Sequence, residues 1–198
     1  MIATHLSSIP LPLPLPLRLT LRRLGIVPGR ELLTISIAAQ SMRLWQRCRT
    51  GGSGDTSVAP IRFTVREHYR ISTSKFGVGQ KRNSFQTPLG LHRIARKVGG
   101  GHPIGTVFEH RRALGFVWQG MPQATICHRI LWLEGLEPGR NKGGEVDSFA
   151  RYIYIHGFSD EATLGQPQSH GCIHLAAADL LPLFDRLPEG VLVWISER

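Results

Sequence analysis

A mainly β fold is predicted by three features of this 198-residue chain. It contains 22 glycines and 13 prolines, residues that interrupt helices and build turns. Between them run short segments rich in Val, Ile and Tyr, which suit a pleated, half-buried surface. A hydrophobic fraction of 41% supplies one sizeable core and argues against global disorder.

The elements follow in chain order. Residues 1–28 are predicted to be an extended, Pro/Leu-rich leader, poorly ordered and without a core of its own, because proline recurs at every second position from Pro10 to Pro16. Arg18, Arg22 and Arg23 follow that apolar run rather than precede it, so no secretory signal is legible. The body spans residues 29–198. Its first strand is predicted at Glu31–Ile37, with a turn at Gln40-Ser41 and a second strand at Met42–Gln46. Gly51–Asp55 reads as a flexible loop. Two further strands are expected at Ile61–Val65 and Tyr69–Thr73, and another near Leu89–Ile94 between glycine-rich loops. Ile126–Leu133 and Arg151–Ile155 follow, the latter ending at His156. The run Leu175–Leu181 has helical composition, which Pro182 should shorten or kink, and Val191–Ile195 is the closing strand. No run of 18 apolar residues exists, so no membrane-spanning helix is predicted.

The formal net charge is +10, which attracts polyanions in general. The nearest approach to a basic cluster, Arg43, Arg47 and Arg49, lacks the interleaved aromatics of a base-stacking platform. Nucleic acid is therefore not a predicted partner.

Chemistry concentrates in one stretch. Of the three cysteines, Cys48, Cys127 and Cys172, none forms a CxxC pair, and the first two read as inert buried residues. Cys172 differs, because it stands in Ser169-His170-Gly171-Cys172-Ile173-His174, downstream of His156-Gly157. A free thiol has a pKa of about 8.5 and is mostly protonated at neutral pH. A nearby imidazole or aligned backbone N–H groups can activate it. His156, at the end of a strand, is the candidate base, with His170 as the alternative. Cys172 follows a glycine and leads towards a helix, whose N-terminus would favour the thiolate. Gly171 lets backbone N–H groups approach a developing oxyanion. Zinc is the competing reading, since His156, His170, Cys172 and His174 are all competent ligand types. Their spacing matches no zinc motif, so no metal is predicted.

His-Gly, a polar loop and then Ser-His-Gly-Cys resembles the active-site signature of the L,D-transpeptidase catalytic domain (YkuD-like family). Ser72-Thr73-Ser74-Lys75 with Thr87-Pro88-Leu89-Gly90 is similar to the family's paired STGK and TPxG segments. The likeness runs from about residue 31 to 196. It implies a β-sandwich-like domain of mixed sheets with a capping helix after the cysteine. It also implies a cysteine acyl-transferase, needing no cofactor, that cross-links or anchors peptidoglycan stem peptides in the periplasm or cell envelope. In that scheme Cys172 is the nucleophile and His156 moves the proton. The Gly157 carbonyl orients the imidazole, and the backbone N–H groups of His170, Gly171 and Cys172 form the oxyanion hole. Ser169 and His170 support the pocket. His174 departs from the family, which often has Arg or Asn there, and would touch substrate. Two alternatives stay open: an L,D-carboxypeptidase using the same site, and a non-catalytic binder of anionic polymer.

Overall fold

A computed structural model describes residues 9–48, 61–121 and 125–198. The loop expected at Gly51–Asp55 lies outside the described residues. In chain order the elements are α1 (Leu15–Leu24), β1 (Glu31–Ser36), β2 (Ser41–Arg47), β3 (Phe63–Ser72), β4 (Gly90–Val98), β5 (Thr106–Glu109), β6 (Arg112–Phe116), β7 (Cys127–Gly135), β8 (Tyr154–Gly157), β9 (Ile173–Leu175), α2 (Ala177–Arg186) and β10 (Leu192–Ser196). The mainly β expectation holds, with mixed strand pairing and a helix after the cysteine.

The strands run in the order β4-β10-β1-β2-β3-β9-β8-β7, and β7 pairs back to β4. The sheet therefore closes on itself, which leaves no free edge in this ring. Two pairings are parallel, β1 with β10 and β8 with β9; the others are antiparallel. The β5–β6 hairpin hangs from β7 through Val107 opposite Cys127.

Alternation along the strands builds two cores. Leu33 and Ile35 of β1 join Val193 and Ile195 of β10 in the larger one, whereas Leu32, Leu192 and Trp194 face the other way into the smaller. Period-two geometry requires this division. Because both faces are covered, β1 and β10 show little polar alternation. Helix α2 adds Leu180, Leu183 and Phe184 to the larger core, at helical i, i+3, i+4 spacing, and its C-cap Leu187 joins them.

The smaller core corrects the leader reading. Residues 15–24 form a helix rather than an extended arm. Pro14 is its N-cap and Pro16 lies in its first turn, where a missing N–H breaks no intrahelical bond. Leu13, Leu17 and Leu21 are 4%, 1% and 5% exposed and pack with Leu32, Trp45, Phe63, Leu91, Leu192 and Trp194. Leu11 also exchanges backbone hydrogen bonds with Phe63, at 2.8 and 3.1 Å. The alternating prolines end just where helical spacing of leucines begins.

Other differences are local. The two runs expected at 61–65 and 69–73 are one continuous strand, β3. The strand expected from Arg151 starts only at Tyr154, because Tyr152 turns the chain at φ 58°. The helix expected from Leu175 begins at Ala177, since Ile173–Leu175 is recruited between β3 and β8.

Candidate active site

Strands β8 and β9 position the site. Their parallel register pairs Ile155 with Ile173 and His156 with His174. Alternate residues on a strand share a face, so Cys172, two before His174, lies on the same face as both imidazoles. Ile155 and Ile173 point oppositely into the larger core and fix that orientation. His156, Cys172, His174 and His170 line one cleft of about 660 Å³ with Thr125, Ile126, Phe158, Ser159, Asp160, Thr163 and Gln168. The residues singled out in the sequence thus converge.

His156 is 2% exposed, and its Nδ1 lies 2.8 Å from the Gly157 carbonyl oxygen. A carbonyl only accepts, so neutral His156 carries its proton on Nδ1 and presents a lone pair at Nε2. Burial lowers the His156 pKa to about 4, against the opposing pull of the Gly157 carbonyl. Gly157 cannot carry a side chain: a Cβ there would lie 2.3 Å from His128 Cδ2 and 2.8 Å from the Cys127 carbonyl oxygen.

Cys172 is half-buried. Its thiol donates to the Tyr152 carbonyl at 3.4 Å. Burial pushes the Cys172 pKa up to about 11, opposed by a backbone hydrogen bond at Tyr154 and by the Arg151 charge. The resting pair is therefore neutral thiol and neutral imidazole. The helix-dipole expectation is corrected here, because β9 intervenes before α2 begins at Ala177. Dipole effects fall off within the terminal turn, so this helix start does not activate the sulfur.

The turn before Cys172 is held from several sides. Ser169 Oγ donates to the Cys172 carbonyl at 2.6 Å and accepts from the Gly171 N–H at 3.2 Å. That occupies one of the three expected oxyanion donors, leaving the N–H groups of His170 and Cys172 as candidates. Gly171 has φ 119°, a conformation open mainly to glycine. The Ser72–Lys75 segment grips the same turn: Ser169 N–H donates to the Thr73 carbonyl at 2.9 Å, and Lys75 N–H to the Ser169 carbonyl at 3.1 Å. Thr87 links both, accepting from Ser74 N–H at 3.0 Å and donating to the Gly171 carbonyl at 3.1 Å. This network is the physical reason why the two motif segments occur together.

His174 and His170 differ sharply. The His174 ring lies 4.1 Å from Phe158 and 4.9 Å from His156, and its buried Nδ1 has no hydrogen-bond partner. Burial, with the neighbouring histidines, lowers its pKa to about 3. His170 is exposed on the rim, with its ring 5.5 Å from Phe76 and 6.0 Å from Phe85.

Sequence reasoning missed two contributors. Arg151 donates to the carbonyls of Gln80 and Gln86, each at 2.7 Å, and pins the loop beneath that rim. Tyr152, through its left-handed backbone, delivers the carbonyl that receives the thiol. Single arginines and tyrosines carry no spacing signal. Among the described residues no group of three His, Cys, Asp or Glu side chains is arranged to hold a metal ion. No helix among them is long and apolar enough to cross a membrane.

A closed mixed sheet carries a cysteine and two histidines on one cleft face, and a family comparison assigns the class. The model for the L,D-transpeptidase catalytic domain (YkuD) matches residues 30–195, and the chain belongs to that family. A comparison with curated proteins finds no match. Among solved structures, Bd1075 of Bdellovibrio bacteriovorus superposes with a TM-score of 0.52 at 11% identity, over 86% of this chain and 49% of that one. An L,D-transpeptidase from Mycobacterium smegmatis gives 0.45 at 15% identity, over 84% and 58%. L,D-transpeptidase 3 from Mycobacterium tuberculosis, in complex with a faropenem-derived adduct, gives 0.44 at 15% identity, over 85% and 60%. The chain thus spans between 49% and 60% of the length of these structures.

Proposed function

We propose that this chain is a cysteine acyl-transferase acting on peptidoglycan stem peptides in the cell envelope, with Cys172 as nucleophile and His156 as base. The observation that carries the reading is the β8–β9 register, which lines up His156 and His174 on the cleft face that also bears Cys172. Family membership supplies the reaction class.

A neutral resting pair dictates the order of events. The thiol leaves the Tyr152 carbonyl, and its proton passes to His156 Nε2 as sulfur bonds to the carbonyl carbon of the donor peptide. The N–H groups of His170 and Cys172 receive the oxyanion. His156 then returns the proton to the departing amine of the terminal D-residue, leaving a thioester. An acceptor amine attacks the thioester, gives its proton to His156, and releases Cys172 to be reprotonated. His174, neutral and lining the cleft, contacts the bound substrate.

Product analysis with a donor tetrapeptide and an acceptor amine tests the reading. A new amide linking donor and acceptor is expected, lost in Cys172→Ala. Accumulation of the free tripeptide alone would indicate a hydrolase instead. Turnover retained in Cys172→Ala would overturn the role of the cysteine.

A further inference from the structure

A cation with no carboxylate partner among the described residues lies on the aromatic cluster that borders the nucleophile. Arg111 occupies the turn between β5 and β6, where His110 and Arg111 both take left-handed backbone, at φ 47° and 66°. Its guanidinium carbon lies 5.1 Å from the Trp132 ring centre and 4.9 Å from that of Tyr152. It also donates to the Tyr154 hydroxyl at 3.5 Å. Cys172 packs against the cluster that contains Trp132 and Tyr154, and its thiol donates to the Tyr152 carbonyl. The aromatic cluster that Arg111 covers is therefore the one against which Cys172 packs.

Arg23, Arg93, Arg140 and Arg186 each pair with a carboxylate. Arg111 makes no ion pair among the described residues. Ring faces and a hydroxyl hold its plane while satisfying little of its donor capacity, for a guanidinium carries five N–H donors. Restricting the side chain in advance lowers the entropy cost of binding a ligand. The group that matches a planar cationic fork is a carboxylate.

We infer that Arg111 binds a substrate carboxylate, namely the free terminal carboxylate of the D-residue that acyl transfer expels. The inference rests on the acyl-transfer reading of Cys172. In such a peptide that carboxylate sits only a few bonds from the carbonyl under attack. A cation held on the aromatic cluster that packs against Cys172 can hold it while the chemistry proceeds at the sulfur. Arg111 thereby acts as a specificity residue, selecting donors that end in a free acid.

The test compares two donors, a tetrapeptide with a free C-terminal carboxylate and its C-terminal amide, by the rate of acylation of the full chain. The wild type should prefer the free acid. Arg111→Gln should lower kcat/KM for the free acid by on the order of 10- to 100-fold, the usual size of a lost charged hydrogen bond, and leave the amide rate unchanged. Arg111→Lys should fall between, retaining charge without the fork, and it replaces the Gln variant should that fail to fold. Equal losses on both donors, or no loss on either, would overturn the inference while leaving the acyl-transfer reading intact. No adduct in the wild type with either donor brings down both.

Discussion

At Cys172 and His156 burial works against charge on both partners. With the cysteine near 11 and the histidine near 4, neither ionises around neutrality, so thiolate forms only as alkali or the attack itself removes the proton. Alkylation of Cys172 should therefore climb steadily between about pH 6 and 9, without an acid plateau. A fast plateau below about pH 6 would mark a preformed thiolate–imidazolium pair and contradict this account. His156→Ala should slow acylation by about 10²–10⁴-fold, the usual contribution of a general base, while His170→Ala retains most activity. The reverse ranking would move the base to the rim. Much of this site was legible, because Ser169–His174 is contiguous and glycine and cysteine at these positions have definite chemical meaning. The resting protonation was not, since it depends on burial contributed by remote strands. Nor were Arg111, Arg151 and Tyr152, whose roles come from where the fold sets them.

At the scale of elements, the closing strands were readable from Val/Ile alternation, and three segments were not. Pro10–Pro16 masks the leucine spacing of α1, although prolines in a first turn cost a helix little. The β5–β6 hairpin carries charged and glycine residues and turns on His110-Arg111 rather than on the Asn-Gly or Asp-Gly pair that signals a hairpin. Strand β9 is only three residues long, too short for periodicity to show. A chain beginning near Pro28 should melt well below the full chain, because Trp45 and Trp194 would lose their cover. Leu17→Ala alone should cost about 2–5 kcal/mol, as for other fully buried leucines. Unchanged melting of the shortened chain would mean that α1 does not pack on the sheet.

Over the whole molecule, histidines held as neutral rings, His92 and His156 buried and His174 half-buried, tie stability to pH. His92 is fully buried between the Gly90 carbonyl, at 3.1 Å, and Ser148 Oγ, at 2.9 Å, and burial lowers its pKa to about 4. His156 is lowered to about 4 and His174 to about 3. Each is depressed below its unfolded value of 6.5. The unfolded chain therefore binds protons first as pH falls, and stability present above 6.5 drains away towards 4. The combined loss should be on the order of a few kcal/mol, since one unit corresponds to about 1.4 kcal/mol. Melting temperature should fall clearly between about pH 7 and 4.5. A flat profile would mean that these rings are more hydrated than their packing indicates.

Acyl transfer through Cys172 passes through a covalent thioester, which intact-mass spectrometry detects. The full chain is incubated with a donor tetrapeptide, without acceptor amine and with a strong chelator present. One added acyl-tripeptide mass per chain is expected, mapped by digestion to Cys172 and absent from Cys172→Ala. An unmodified mass under conditions of turnover, or an adduct mapped to Cys48 or Cys127, would contradict it.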